Sequence, residues 1–335
     1  MKKKWTIQRA LAAMLVVGIA SGLLGCHEMK VETRLNADGS GTRHMELLSE
    51  EDVGDSTITL VNYREMMGVT EDRGWTHSVS RRKKADSDQI KDYHSFKRTA
   101  KAADFLELAG MSGDIYIKGT NTNPAFADVH FINTIEIETG TNPRGRTITY
   151  RETFAWSRLV ETLIDYRLEE YLPALTKTYP NWKPEEINEW FGFVKGTFMA
   201  TVDDGIIDMG GGDRERRFEN SINRAVKYAT RAIRISDPDA DDGLIVDVVW
   251  SIFVEWDEFD ETAEDMDLIG VVLATALNLT VRIDIPGMVV ETNADRQEVY
   301  ADPAAGRQKL VWEIDPAAAM TRPIEIYVKT EIPNR

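Results

Sequence analysis

The densest group of side chains that could do chemistry is a run of carboxylates in the last third of the chain. Residues 236–267 contain 13 Asp or Glu and no Lys or Arg. Carboxylates bind hard divalent cations and act as general acids and bases in hydrolases. The run opens with SDPDADDG, which places Asp237, Asp239 and Asp241 at alternate positions, as in many calcium loops.

The EF-hand spacing does not fit this segment. Counted from Asp237, the sixth position is Asp242 rather than glycine, and the twelfth is Val248 rather than glutamate. Asp237, Asp239 and Asp241 are therefore candidate ligands of an irregular divalent-cation site. The other interpretations are a solvated acidic face that meets a basic partner, and a carboxylate pair of a hydrolase, which is defined by spatial separation rather than by sequence spacing.

The histidines and the single cysteine form no recognised catalytic or zinc-binding motif. None of the five histidines has a second histidine at helical zinc spacing, and Cys26 is the only cysteine. His77 and His94 lie on the two predicted strands of one hairpin, within reach of each other, and we interpret them as structural. Nucleophile-elbow, P-loop and dinucleotide motifs do not occur in a suitable context. These observations favour a non-catalytic protein over an enzyme.

Four consecutive basic residues form a positively charged segment, in contrast to the acidic run. Arg81, Arg82, Lys83 and Lys84 lie at the predicted tip of that hairpin. A solvated tip is one interpretation. The other is contact with phospholipid headgroups, where each base contributes about 1 kcal/mol near an anionic surface.

The N-terminus has the pattern of a secretory signal. Residues 1–9 carry four bases and no acid, and the 15 residues Ala10–Leu24 carry no charge. That apolar run is shorter than the roughly 20 residues of a membrane-spanning helix. The sequence Leu23-Leu24-Gly25-Cys26 resembles the bacterial lipobox. This resemblance implies a diacylglycerol on the Cys26 thiol, cleavage before Cys26, and an acyl chain such as palmitate on the new amino group.

Composition disfavours nucleic acid as a partner, and it disfavours broad adhesion to anionic lipid. Cleavage after residue 25 leaves 36 basic and 56 acidic side chains, a formal charge of −20. Such a surface disfavours nucleic acid, whose phosphates require a basic patch. A hydrophobic content of 42% and eight tryptophans indicate a folded chain.

Hydrophobic periodicity predicts an α+β fold. Period-two patterns predict hairpins around residues 36–41, 83–90 and 140–145, and short helices over 56–67 and 102–110. From Trp156 the period becomes 3.6, and helices are predicted to continue to residue 277; Pro180 ends the first and Pro184 begins the second. Strand patterns return at Leu279. We therefore predict a signal peptide over 1–25, one antiparallel β-rich domain over 26–155 and 279–335, and a helical insertion over 156–278.

Two segments resemble a known family. They are VETRLNADGSGTRHMELL after the lipobox and VRIDIPGMVVETNADRQEV with KLVWEID near the C-terminus. The Pro286-Gly287 turn, Asn293-Ala294-Asp295 and Trp312 make the second segment similar to the LppM-like lipoprotein domain of bacterial envelopes. The resemblance implies a lipid-anchored α+β domain with no established reaction, and the helical insertion departs from it. From their types alone, Asn293 and Asp295 are expected to bond the backbone of their own tight turn.

Together these features predict a lipid-anchored cell-envelope protein with a non-catalytic binding role. Its expected partners are the membrane, through the anchor, and a lipid, envelope component or envelope protein. The alternative is an anchored carboxylate- or metal-dependent hydrolase. His27 follows the cysteine, whereas an Asp there commonly retains lipoproteins at the inner membrane, so the periplasmic face of the outer membrane is favoured.

Overall fold

A computed structural model describes the chain from His27 onward, with gaps. The described residues are 27–52, 64–65, 67–83, 89–118, 128–203, 212–253, 278–298, 306–314, 316, 319 and 322–333. The predicted signal peptide, Cys26, most of the helix predicted over 56–67 and residues 254–277 of the predicted helical insertion lie outside them. Backbone contacts divide the described residues into two compact units: residues 158–253 form one, and the segments on either side form the other.

The flanking segments form a β-rich unit. Its described elements are β1 His27–Leu35, β2 Gly41–Asp52, β3 Thr76–Lys83, β4 Ile90–Ala102, the short helix α1 Phe105–Ala109, β5 Tyr116–Lys118, β6 His130–Asn142, β7 Gly145–Ser157, β8 Asn278–Pro286, β9 Met288–Thr292, β10 Arg296–Glu298, β11 Arg307–Ile314 and β12 Ile324–Pro333. A single 3-10 turn, Glu71–Arg73, precedes β3.

These strands form two sheets that both combine N- and C-terminal segments. The seven-stranded sheet has the order β10-β11-β8-β1-β2-β4-β3, and β1 pairs in parallel with β8, with Val31 opposite Val281. The five-stranded sheet has the order β5-β6-β7-β12-β9 and is antiparallel throughout. Chain ends that are far apart in sequence are therefore joined by strand pairing in each sheet.

Local turn chemistry sets the hairpins. In the first, the Asp38 carboxylate accepts hydrogen bonds from the Ser40 backbone N–H at 3.0 Å and from the Ser40 hydroxyl at 2.8 Å. Gly39 adopts a φ of 99°, which a side chain would disfavour. The three predicted hairpins are confirmed, because β1 pairs with β2, β3 with β4 and β6 with β7.

One of the segments that connect the two sheets differs from the prediction. Residues 293–295 run from β9 in the five-stranded sheet to β10 in the seven-stranded sheet. Asn293 Oδ1 accepts from the Tyr327 backbone N–H at 2.8 Å and from Trp312 Nε1 at 2.9 Å, and Asp295 accepts from the Glu313 backbone N–H at 2.7 Å. The expectation that both residues bond their own turn is wrong: they bind neighbouring strands, because the chain changes sheets here.

The helical unit contains four described helices. They are α2 Leu159–Thr178, α3 Pro184–Asp203, α4 Gly212–Ser236 and α5 Gly243–Phe253. α3 packs between α2 and α4, and α5 contacts α2 and α4. Trp190 of α3 is fully buried and donates its indole N–H to the Ala225 carbonyl of α4 at 3.1 Å. The predicted end of one helix before Pro180 and the start of the next at Pro184 are confirmed.

The predicted α+β class is confirmed, with one local correction. Both sheets are dominated by antiparallel pairs, and the long described helices are segregated in their own unit. The strand-to-helix change was expected at Trp156, but β7 continues to Ser157, which pairs with His130. Trp156 belongs to the sheet core because its ring packs 5.1 Å from Phe131 and its indole N–H donates to the Pro316 carbonyl at 3.0 Å.

Candidate functional site

The acidic loop between α4 and α5 contains the three predicted metal ligands. The Asp237 carboxylate accepts from the Asp239 backbone N–H, and the Asp241 carboxylate accepts from the Gly243 backbone N–H, both at 3.3 Å. All three carboxylates are exposed. Across the described residues, no three His, Cys, Asp or Glu side chains are grouped so that they could hold a metal ion. Two of the three carboxylates thus bond backbone N–H groups of their own loop.

The remainder of this loop is tied to the helices beside it. Asp242 accepts from the Thr230 hydroxyl at 3.3 Å and pairs with Arg234 at 3.4 Å. The Tyr179 hydroxyl donates to the Asp241 carbonyl at 2.7 Å, and burial, followed by the charge of Asp241, raises the pKa of Tyr179. A hollow between Tyr179, Trp182 and Asp237 has room for about one water molecule, which is too small for an organic ligand.

The basic hairpin tip is partly neutralised by its own strands. Arg81 forms a bidentate pair with Asp92, with N–O distances of 2.8 and 2.7 Å, and Asp92 raises the pKa of Arg81. The Arg82 guanidinium lies 4.0 Å from the centre of the Tyr93 ring. Lys84 lies outside the described residues. Contact of this tip with phospholipid headgroups stays a prediction.

A histidine pair and a carboxylate form a chain beside this tip. His77 Nε2 lies 3.0 Å from His94 Nδ1, so the two histidines meet across the hairpin. His94 Nε2 lies 3.4 Å from Glu51, which favours a proton on that nitrogen and leaves Nδ1 to accept from His77. The His77 ring stacks on Phe96 with a centroid distance of 4.2 Å. The chain links β2, β3 and β4 through side chains on one sheet face.

The same sheet face continues from the core into solvent. Met45, Leu47 and Phe96 are buried on it, whereas Val79 and Ile90, at the β3–β4 end, are 52% and 56% exposed. Apolar side chains, imidazoles and an ion pair therefore share one accessible surface. The exposed part of this face is a candidate binding surface.

A fully buried polar cluster lies between β2 and β7 and was not predicted from the sequence. Arg43 of β2 forms a bidentate pair with Glu152 of β7, and both side chains are fully buried. Burial opposes the charge of Arg43, but Glu152 and then Tyr150 hold its pKa above the usual range. Thr33 accepts from Arg43 at 2.8 Å, and the Tyr150 hydroxyl donates to Glu152 at 2.8 Å. Arg43 alternates with Met45 and Leu47, which was the available signal that it faces inward.

The comparisons with known proteins give no relative. The chain matches no family model, no curated protein and no solved structure. Among the helices of the described residues, none is long and apolar enough to cross a membrane. The similarity to LppM-like domains therefore stays a prediction.

Proposed function

We propose that this chain is a lipid-anchored lipoprotein of the bacterial cell envelope, related to LppM-like domains, with a non-catalytic binding role. The anchor would be a diacylglycerol and an N-acyl chain on Cys26. One acyl chain gives only marginal membrane binding, whereas two or more give stable anchoring. The periplasmic face of the outer membrane is the favoured location.

The lipobox Leu23-Leu24-Gly25-Cys26 carries this proposal, and the position of β1 bears on how the anchor would hold the fold. β1 begins at His27, directly after Cys26, and is an inner strand of the seven-stranded sheet with β8 on one side and β2 on the other. Strand pairing on both sides fixes β1 in the fold. A lipid on Cys26 would therefore hold the β-rich unit close to the bilayer surface, without an intervening linker.

The buried polar cluster between the sheets supports binding at the surface. The facing side chains of β2 and β7 include the buried Arg43–Glu152 pair, and Leu47, Phe131 and Phe154 are less than 2% exposed. A lipid tail there would have to displace paired charges, which is costly. The half-exposed face around Val79 and His77 is a more accessible place for an envelope lipid or protein.

The alternative is an anchored hydrolase that uses carboxylates and a divalent cation from the acidic loop. The density of carboxylates after Ser236 is the observation that favours it. Calcium binding with several exposed carboxylates would also be consistent with an ion-dependent contact to a partner.

Native mass spectrometry of the purified full chain separates these functions. Co-purified lipid or protein supports the binding role. Stoichiometric calcium or zinc, lost from the Asp237→Asn/Asp239→Asn/Asp241→Asn variant, would favour the hydrolase. The control variant Glu169→Gln/Glu185→Gln/Glu189→Gln removes three exposed carboxylates elsewhere in the helical unit and should leave any metal bound.

A further inference from the structure

The outer face of α4 combines cations with exposed apolar side chains. Arg224, Lys227, Tyr228 and Arg231 are exposed on it, and Ile235 is 82% exposed. At 3.6 residues per turn, these five positions fall within an arc of about 100°. They therefore form one continuous surface, which we call the α4 basic face.

The opposite side of the helix is fully used in packing. Ile222, Ala225, Ala229 and Ile233 are at most 4% exposed. The Ala225 carbonyl also accepts the Trp190 indole bond. Since packing already fixes α4 through this side, the residues of the α4 basic face are free to meet a partner.

The charge of the α4 basic face is opposite to that of the whole protein. Residues 220–236 contain four bases and no acid, in a chain whose formal charge is −16. Arg234, beside the face, pairs with Asp242 at 3.4 Å. Arg224, Lys227 and Arg231 have no carboxylate within ion-pair distance among the described residues. An anionic partner is therefore the electrostatic complement of this face.

The apolar side chains indicate which kind of anion fits. The Tyr228 ring, 41% exposed, stacks on Phe193 of α3 with a centroid distance of 4.7 Å, and Ile235 projects into solvent about two turns away. A phosphate backbone offers nothing to bury an isoleucine. Interfacial helices, by contrast, place Lys and Arg on headgroups and insert aromatic and aliphatic side chains between them.

We propose that the α4 basic face lies on anionic phospholipid headgroups. This inference rests on the proposed lipid anchor only for keeping the chain at a bilayer, and it places this face of the helical unit toward the headgroups. Because the whole chain is acidic, the face acts locally, within about a Debye length of 8–10 Å. It would let the protein distinguish anionic from zwitterionic leaflets.

Depth-dependent fluorescence quenching tests this orientation. The acylated full chain carrying Ile235→Cys is labelled with a thiol-reactive fluorophore and reconstituted into vesicles with doxyl-labelled lipid. Quenching is expected with phosphatidylglycerol present and should fade at high salt. The further change Arg224→Glu/Lys227→Glu/Arg231→Glu should weaken quenching about tenfold or more, whereas the matched control Lys101→Glu/Arg144→Glu/Arg322→Glu should keep it.

Two outcomes would overturn the inference. One is equal quenching in pure phosphatidylcholine vesicles or in the reversed triple variant. The other is binding of heparin or an acidic peptide to this face with no quenching by lipid, which would reassign it to a soluble polyanion. The anchor is tested separately, by vesicle flotation and thiol labelling of the chain without Ile235→Cys. A Cys26 thiol that reacts with the label would contradict the proposed function. The quenching comparison would then be repeated in chains that carry Cys26→Ser.

Discussion

Arg43 and Glu152 form a fully buried ion pair that joins the two sheets of the β-rich unit. Their partners, Thr33, Tyr150 and Asn133, satisfy most of the remaining polar atoms. Burying two charges costs desolvation free energy, which their mutual attraction offsets. The clearest evidence for the pair is therefore the loss of unfolding free energy when one partner alone is removed.

We predict that Arg43→Met or Glu152→Gln lowers the free energy of unfolding by about 3–5 kcal/mol, because each leaves a charge or its polar partners uncompensated in the interior. The double variant should lose less than the sum of the two. Urea unfolding followed by tryptophan fluorescence measures both. The exposed pair Arg151–Glu138 is the control, and removing it should cost less than about 1 kcal/mol. Equal losses at the two sites would refute the role of the buried pair.

The connection between the sheets supplies a second test. Asn293→Ala removes the acceptor of the Trp312 indole N–H, a bond to the Tyr327 backbone and a bond to the Glu325 carbonyl. With each of the three bonds contributing about 0.5–1.5 kcal/mol, we expect a loss of unfolding free energy of about 1.5–4.5 kcal/mol. Thermal unfolding measures it, and Asn220→Ala on the exposed side of α4 is the control. A loss of stability no larger than that of Asn220→Ala would show that the Asn293 side chain does not hold the neighbouring strands together.

Features that depend on residues close together in sequence could be predicted, whereas features that depend on residues far apart in sequence could not. Asp38 and Ser40 fix a turn through bonds between near neighbours, so composition predicted that hairpin. Arg43 meets a carboxylate 109 residues away, and β1 pairs with β8 across the helical unit, which no local pattern encodes. In the acidic loop, the density of carboxylates can be read from the sequence, but the directions of their side chains cannot. Two of these side chains accept hydrogen bonds from backbone N–H groups two residues further along.

His77 predicts a pH effect on stability. Burial, then the neighbouring His94 and Arg64, lower the pKa of His77 below its ordinary value of about 6.5. The unfolded chain then binds a proton more readily than the folded chain, so acidification through about pH 6.5 destabilises the fold. We expect His77→Gln to reduce the loss of unfolding free energy between pH 7.5 and pH 5, measured in urea. The neighbouring Ser78→Ala variant should retain the full loss; an unchanged slope in His77→Gln would exclude His77 as the titrating group.

Loss of the Cys26 thiol should release the protein from bacterial membranes. Replacing Cys26 with Ala removes the acceptor of the diacylglycerol, and the anchored fraction should fall in membrane flotation. The Ser21→Ala variant changes the same region without touching the lipobox and should remain membrane-bound. Retention of the Cys26→Ala chain in a carbonate-resistant membrane fraction would contradict lipid anchoring through this residue.

The most direct measurement is the mass of the N-terminal peptide of the mature protein purified from bacterial membranes. We predict a peptide that begins at Cys26 and carries a diacylglycerol and an amide-linked acyl chain. A peptide in which Leu23, Leu24 and Gly25 still precede an unmodified Cys26 thiol would contradict it.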